Sequence, residues 1–493
     1  MKKIILLYLV PLATAFLSCQ NLEEMNENPN RSGQTHPKLL LTQVEWSAFS
    51  AGVDVSPQYA QKMLVQTDGE SSYQYYKWNR GDFRYASLRN VAKMMEEAER
   101  VGEKGYVAIG HFFRANYFYQ MTLMFGDIPY SEALKGETND VYQPAYDTQK
   151  TVMDGVLQEL ATADELLRTA TGTIDGDIIY GGDTDRWRRL VNAFRLKVLL
   201  TLSRRADDAD LDVRATFARI YAEEPIMRDG TDDAQLVYLD QEGNRYPEFN
   251  SSGFGSGMYM DSTFIRRLQD HQDPRLFLFC TQTKEAKEAG KAIDDFTAYE
   301  GGNPVAPYAT VNEKATRGKV SKVLERYHQD PTNEPSTLLG YAEQELILAE
   351  AAVRGWITAD ADEHYRNGVK ASFKFYETYA KNLGAYVNEA AAGAYLALPA
   401  NDLASQPDTD ARLACILSQK YFRSFFQGSW AALFENMRTG LPEFMRPAGV
   451  EIPFRWMYPQ SEYNYNASHV SEAISRQFGE GNDRIDRKTW WLK

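Results

Sequence analysis

The densest concentration of side chains able to hold a polar ligand is the run Tyr73-Gln74-Tyr75-Tyr76-Lys77-Trp78-Asn79-Arg80. Tyr and Trp rings bury a large apolar area at little rotamer cost, and their faces can stack on the C–H faces of a pyranose. Gln74, Asn79 and Arg80 add fork-like groups for neighbouring hydroxyls. Tyr73, Tyr75, Tyr76, Trp78, Asn79 and Arg80 are therefore ligand-binding candidates, and a sugar suits them. Alternating aromatics fill a protein core equally well, so the segment has a purely structural reading too.

Catalytic chemistry is harder to find. The chain contains no His-Glu-x-x-His, no Gly-x-Ser-x-Gly, no P-loop and no Gly-x-Gly-x-x-Gly. Gly253-Phe254-Gly255-Ser256-Gly257 carries its serine one place late and reads as a flexible turn. Six histidines lie scattered without ligand-like spacing. Paired carboxylates could serve a glycosidase, but 68 acidic residues supply such pairs by chance. Asp175, Asp177, Asp183 and Asp185 could offer oxygens to calcium. The EF-hand spacing is absent, and hydrogen-bonded Asx turns are the expected use of this loop. No catalytic residue, metal or cofactor is therefore assigned.

Cys19 carries a different chemistry. Lys2 and Lys3 form a basic start, Ile4 to Phe16 an apolar stretch too short to span a bilayer, and Ser18 precedes the cysteine. Residues 1–18 are thus expected to be a lipoprotein signal peptide, with Cys19 lipidated before cleavage. Acyl chains would then attach the mature protein to a membrane. The polar, Asn-rich and acidic stretch that follows cannot bury a hydrophobic face, and residues 19–40 read as a tether. The acidic pair Glu23-Glu24 resembles the surface-export signal of some Gram-negative lipoproteins, and a solvated linker accounts for it as well.

The elements that must position these groups are helical. With 493 residues and 43% hydrophobic content, the chain can bury a large core. Its net charge of -14 argues against a nucleic-acid partner, which would need clustered Lys and Arg. Three cysteines exclude a disulfide framework. An apolar stripe over residues 108–125 predicts a helix that stops at Gly126-Asp127-Ile128-Pro129. Val152, Val156 and Leu160 mark a second, with Asp147 as its expected cap. Trp187, Leu190, Val191, Phe194 and Val198 mark a third, with Arg188, Arg195 and Arg205 expected on its wet side. Helix pairs are predicted near 148–204 and 340–380, the latter breaking at Gly355, and a last pair over 411–426 and 429–437. The extent of such pairs approaches the tetratricopeptide period, without a strict repeat. Glycines and prolines interrupt the section from about 207 to 336, which reads as long loops of the sort that often carry function.

Several short stretches together resemble the SusD/RagB-like nutrient-binding outer-membrane lipoproteins, in their second, more diverged branch. They are Gly126-Asp127-Ile128-Pro129-Tyr130-Ser131-Glu132-Ala133, Tyr180-Gly181-Gly182-Asp183 with Trp187-Arg188-Arg189-Leu190-Val191-Asn192, and Ala349-Glu350-Ala351-Ala352. Arg438-Thr439-Gly440-Leu441-Pro442, Pro453, Arg455, Tyr458-Pro459, Glu462, Asn466 and the terminal Trp490-Trp491 complete the set. The resemblance covers nearly the whole mature chain. It implies one domain over 41–493: a mostly α fold in which about four tetratricopeptide-like helix pairs form a scaffold, with long irregular loops building a binding region. Family members place binding aromatics in an early loop and in the central irregular region, which adds Tyr246, Phe249, Phe254, Tyr259 and Tyr308 as candidates, with Tyr259 and Tyr308 foremost.

The resemblance also implies a non-catalytic protein at the outer membrane, facing the cell surface, that binds oligosaccharide and serves as a lid over a SusC-like TonB-dependent transporter. Peptides suit aromatic, hydrogen-bonding pockets as well as glycans do. A lipid-anchored glycoside hydrolase and a helical-repeat adaptor that binds only protein are the competing classes.

Overall fold

The protein is described by a computed structural model covering residues 34–493 apart from Gly257. The expected signal peptide and the expected tether up to residue 33, Cys19 included, lie outside the described residues. The helix Pro37–Ser50 opens the described chain and buries Leu41, Val44 and Phe49, so the last residues of the expected tether already belong to the fold.

Four helix pairs carry the scaffold: Tyr85–Val101 with Lys104–Phe125, Gln149–Thr169 with Thr184–Thr201, Tyr341–Val353 with Ala361–Tyr379, and Thr409–Phe422 with Ala431–Thr439. They stack in order, Lys104–Phe125 on Gln149–Thr169, Thr184–Thr201 on Tyr341–Val353, and Tyr341–Val353 on Thr409–Phe422. Val152, Val156, Leu160, Ala163 and Leu167 form the buried stripe of the third scaffold helix, the three- and four-residue spacing that a core-facing helix needs. Lys104–Phe125 is buried on nearly all sides, because it is packed between two neighbours.

That helix ends where the sequence requires. Gly126 has φ +89°, and a Cβ there would come within 2.1 Å of Gln477 Oε1. Only glycine fits. Two expectations need correction. Asp147 does not cap Gln149–Thr169; the Thr148 hydroxyl does, accepting from Thr151 N, while the Asp147 carboxylate holds the preceding turn through Tyr130 N and Ser131 N at 3.0 and 2.8 Å. The arginines of Thr184–Thr201 do not lie on a wet side. Arg188 pairs with Asp164 and Glu224, both at 2.7 Å; Arg195 is buried against Asn192; and Arg205, just past the helix, donates to the Trp490 carbonyl at 2.8 Å. A helix in the middle of a stack has neighbours on both flanks, and a charge there is tolerated only when paired.

The section 207–336 is irregular, with short helical turns. Its ends are tied by Ala234–Leu236, which pairs antiparallel with Ser336–Leu339. A second short ladder, Leu64–Val65 with Tyr259–Met260, joins the early chain to the middle of this section. The segment at 252–256, near the late serine, is one helical turn, Ser252–Ser256, with Phe254 buried.

The C-terminal residues return to the beginning. Trp456 N donates to Met124 O at 2.8 Å, Met457 N to Asn79 O at 2.9 Å and Gly81 N to Met457 O at 3.1 Å. Tyr458 donates its hydroxyl to Asp127 O at 2.7 Å, so the Gly126-Asp127-Ile128-Pro129 turn is held by residues more than three hundred positions later. Glu350 and Arg438, from two separate sequence stretches, also meet in the core: Arg438 donates to both Glu350 oxygens at 2.6 and 2.9 Å, and Lys420 adds a contact of 2.7 Å.

Candidate binding site

The rings of the aromatic run are buried or half-buried, the expected binding residue Tyr75 included at 6% exposure, and only Lys77 and Asn79 are exposed. Trp78 is only 3% exposed; it stacks on Trp456 at 5.2 Å and 27°, and donates from Nε1 to Arg455 O at 3.3 Å. Expected to offer a face to ligand, it has none free in this arrangement. Tyr76 sits at φ +57°, which turns its ring inward beneath Lys62 and lets its hydroxyl reach Ala60 O at 2.9 Å. Burial pushes its hydroxyl pKa well above the usual value. Tyr73 is half-buried beside Trp78 and Trp430, at 5.5 and 5.2 Å. Arg80 uses its guanidinium internally, on Tyr458 O at 2.6 Å, on Asp483 at 3.3 Å and over the Tyr463 ring at 4.5 Å. Asn79 is exposed.

The rest of the run docks onto the central irregular section. Gln74 is buried, giving its Nε2 to Pro304 O at 3.1 Å and accepting from Gln66 N at 2.8 Å. The Tyr75 hydroxyl donates to Ala306 O at 2.7 Å. Its pKa is raised by burial first and then by the Glu70 charge, with the Tyr308 backbone N–H opposing them. Tyr308 therefore stands beside Tyr75. It is 38% exposed, the first residue of the helix Tyr308–Thr316, with no side-chain cap before it. Lys77 is exposed and reaches within 5.7 Å of the Tyr75 ring centroid and 4.0 Å of Glu70.

Tyr259 is half-buried in the ladder that pairs with Val65, and Lys322 lies 5.2 Å over its ring. Of the other central aromatics, Tyr246 and Phe254 are core residues, and Phe249 is half-buried under Arg245 at 5.2 Å. The arrangement thus brings Tyr75 and Tyr308 together from positions more than two hundred residues apart, with Lys77 and Glu70 at the rim. Those last two were not among the expected binding residues; the polar stretch Asp68 to Ser72 was the available signal. An exposed ring flanked by a mobile ammonium and a carboxylate can stack on a sugar face and bond its hydroxyls. The oxygens of the Asp175–Asp185 loop are engaged locally: Asp177 accepts from Ile179 N, Tyr180 N, Gly182 N and Trp187 Nε1, and Asp183 caps Thr184–Thr201.

A scaffold of stacked helix pairs carrying long irregular loops places the chain in the helical-repeat class. The chain belongs to the SusD-like family: the family model described as "Starch-binding associating with outer membrane" matches residues 29–459. It is similar to a candidate nutrient-binding outer-membrane protein of Bacteroides vulgatus, at 52% identity and TM-score 0.90 over 93% of this chain and 100% of that one. Two SusD homologues of Bacteroides fragilis match over the same shares, one at 51% identity and TM-score 0.88, the other at 33% and 0.86. A comparison with curated proteins gives no match. Membership makes the chain a binding protein rather than an enzyme, of a family associated with the outer membrane. Among the described residues, no helix is long and apolar enough to cross a membrane.

Proposed function

We propose that this protein is a lipid-anchored, surface-facing lipoprotein that binds nutrient oligosaccharide at the Tyr75–Tyr308 platform and delivers it to a partner SusC-like TonB-dependent transporter. The observation that carries the reading is the docking of the buried Tyr75 on Ala306, which ties two distant loops together and leaves the exposed Tyr308 ring where they meet. The family's starch-binding description favours a glycan over a peptide.

Calorimetric titration with starch-derived oligosaccharides and with peptides tests the ligand class. Tyr308→Ala is expected to weaken glycan affinity about tenfold, or about 1.4 kcal/mol, with an unchanged melting temperature because the ring is exposed. Unaltered affinity in that variant removes Tyr308 from the site. Cys19→Ala is expected to move the protein from the membrane fraction to the soluble one, since the acyl chains supply its membrane-buried area. Fractionation that still finds the variant tightly membrane-bound overturns the anchor.

A further inference from the structure

We infer that the chain carries a second binding site, in a cleft enclosed by the helix pairs, built for a carboxylate-bearing sugar such as a uronic acid. The cleft is partly open to solvent and draws its walls from all four pairs and from the end of Pro37–Ser50. Asn116, Gln120 and Met124 face it at four-residue spacing along Lys104–Phe125, the stripe that one side of a helix presents.

Its charges are arranged unevenly. Five cationic side chains line it, and four of them already have carboxylates. Lys197 and Arg423 hold Glu343, each at 2.9 Å. Lys420 and Arg438 hold Glu435 and, behind the wall, Glu350. Burial alone would raise Glu343, but Lys197 and Arg423 outweigh it and hold its pKa down at about 2, so this acid is ionised at neutral pH. The fifth cation is Arg84. Among the described residues its guanidinium has neither an ion-pair nor a hydrogen-bond partner.

A second donor is also unmatched. Asn116 is 1% exposed; its carbonyl accepts from Gln120 Nε2 at 3.0 Å, and among the described residues its own Nδ2 has no acceptor. A buried donor without an acceptor is destabilising. A ligand carboxylate supplies acceptors to Arg84, and a ring or hydroxyl oxygen of the same ligand supplies one to Asn116. Gln120, having given its amide to Asn116, keeps a carbonyl for a sugar hydroxyl.

The remaining wall suits a sugar ring rather than a bare anion. Trp430 and Phe434 line the cleft, and both are backed by Trp456, at 4.8 and 6.4 Å, so their rings are held in place. The cleft is built from other residues than the Tyr75–Tyr308 platform and does not depend on it.

The test is calorimetric titration of the purified chain with D-glucuronate and, separately, with D-glucose. Saturable glucuronate binding is expected, at least tenfold tighter than glucose. Arg84→Gln should weaken it at least tenfold at an unchanged melting temperature, since the side chain has no partner to lose. Asn116→Ala should weaken it several-fold, and Tyr308→Ala should leave it unaltered. The proposal is overturned by absent glucuronate binding, by glucose binding as tightly, by wild-type affinity in a folded Arg84→Gln, or by loss of glucuronate binding in Tyr308→Ala.

Discussion

Glu350→Ala lowers the stability of the protein by about 3–5 kcal/mol, the cost of breaking a buried pair by removing one partner. Glu350 is fully buried and receives Arg438 through both of its terminal nitrogens, Lys420 at 2.7 Å and Arg354 at 2.9 Å. Without it, Arg438 and Lys420 stay in the interior with only Glu435 to share. Denaturant unfolding measures the loss; a variant as stable as the parent would show that the network closes without its central acid. The same network sets an acid limb. Burial would raise the pKa of Glu350, but Arg438 and Lys420 outweigh it and hold it well below its ordinary 4.5, while Glu343 is held at about 2. A depressed carboxylate contributes stability above its unfolded value and loses it as pH falls through the folded one. Stability should therefore fall from pH 4.5 toward 2, and the fall should be shallower in Glu350→Ala.

Trp78→Ala leaves a cavity worth about 3–5 kcal/mol and lowers the melting temperature, while the folded fraction keeps its affinity for oligosaccharide. The ring is enclosed by Trp456, Tyr73, Tyr76 and Trp430 and has no face toward solvent. Melting and titration of the same variant separate the roles. A parental melting temperature with weakened binding would return Trp78 to the ligand.

The contrast between Trp78 and the helices shows what a chain discloses locally. The stripe Val152, Val156, Leu160 has a period, and a period identifies both the helix and its buried side. Gly126 and Gly355 mark helix ends through backbone conformation alone. The run from Tyr73 to Arg80 is irregular and has no period, and a positive φ at Tyr76 reverses its direction. Which ring faces inward is settled by Trp456 and Arg455, partners nearly four hundred residues away. The partners of Arg80 are hidden for the same reason: its acceptors, Tyr458 O and Asp483, belong to the far end of the chain. The short stretches that carry the family resemblance are largely structural ties. Glu350 with Arg438, Asp177 with Trp187, and Asp127 with Arg476 join helices and turns. The nearness of Tyr75 and Tyr308 is legible only as two separate lists of aromatics, because the Tyr75 hydroxyl meets backbone groups, the Ala306 carbonyl and the Tyr308 N–H, which any residue type provides.

The return of residues 454–458 to the first helix pair bears on the order in which the molecule can assemble. A chain made from its N-terminus can form each helix pair as it emerges, because both partners are neighbours in sequence. The floor beneath Trp78 is different: it cannot exist until Trp456 is available, and Arg455 is locked only when Asp483 arrives. Closing a loop of that span is slow compared with local helix formation. The aromatic run thus stays an open, adhesive surface through most of synthesis, and folding completes as a single late closure that the last tenth of the chain controls.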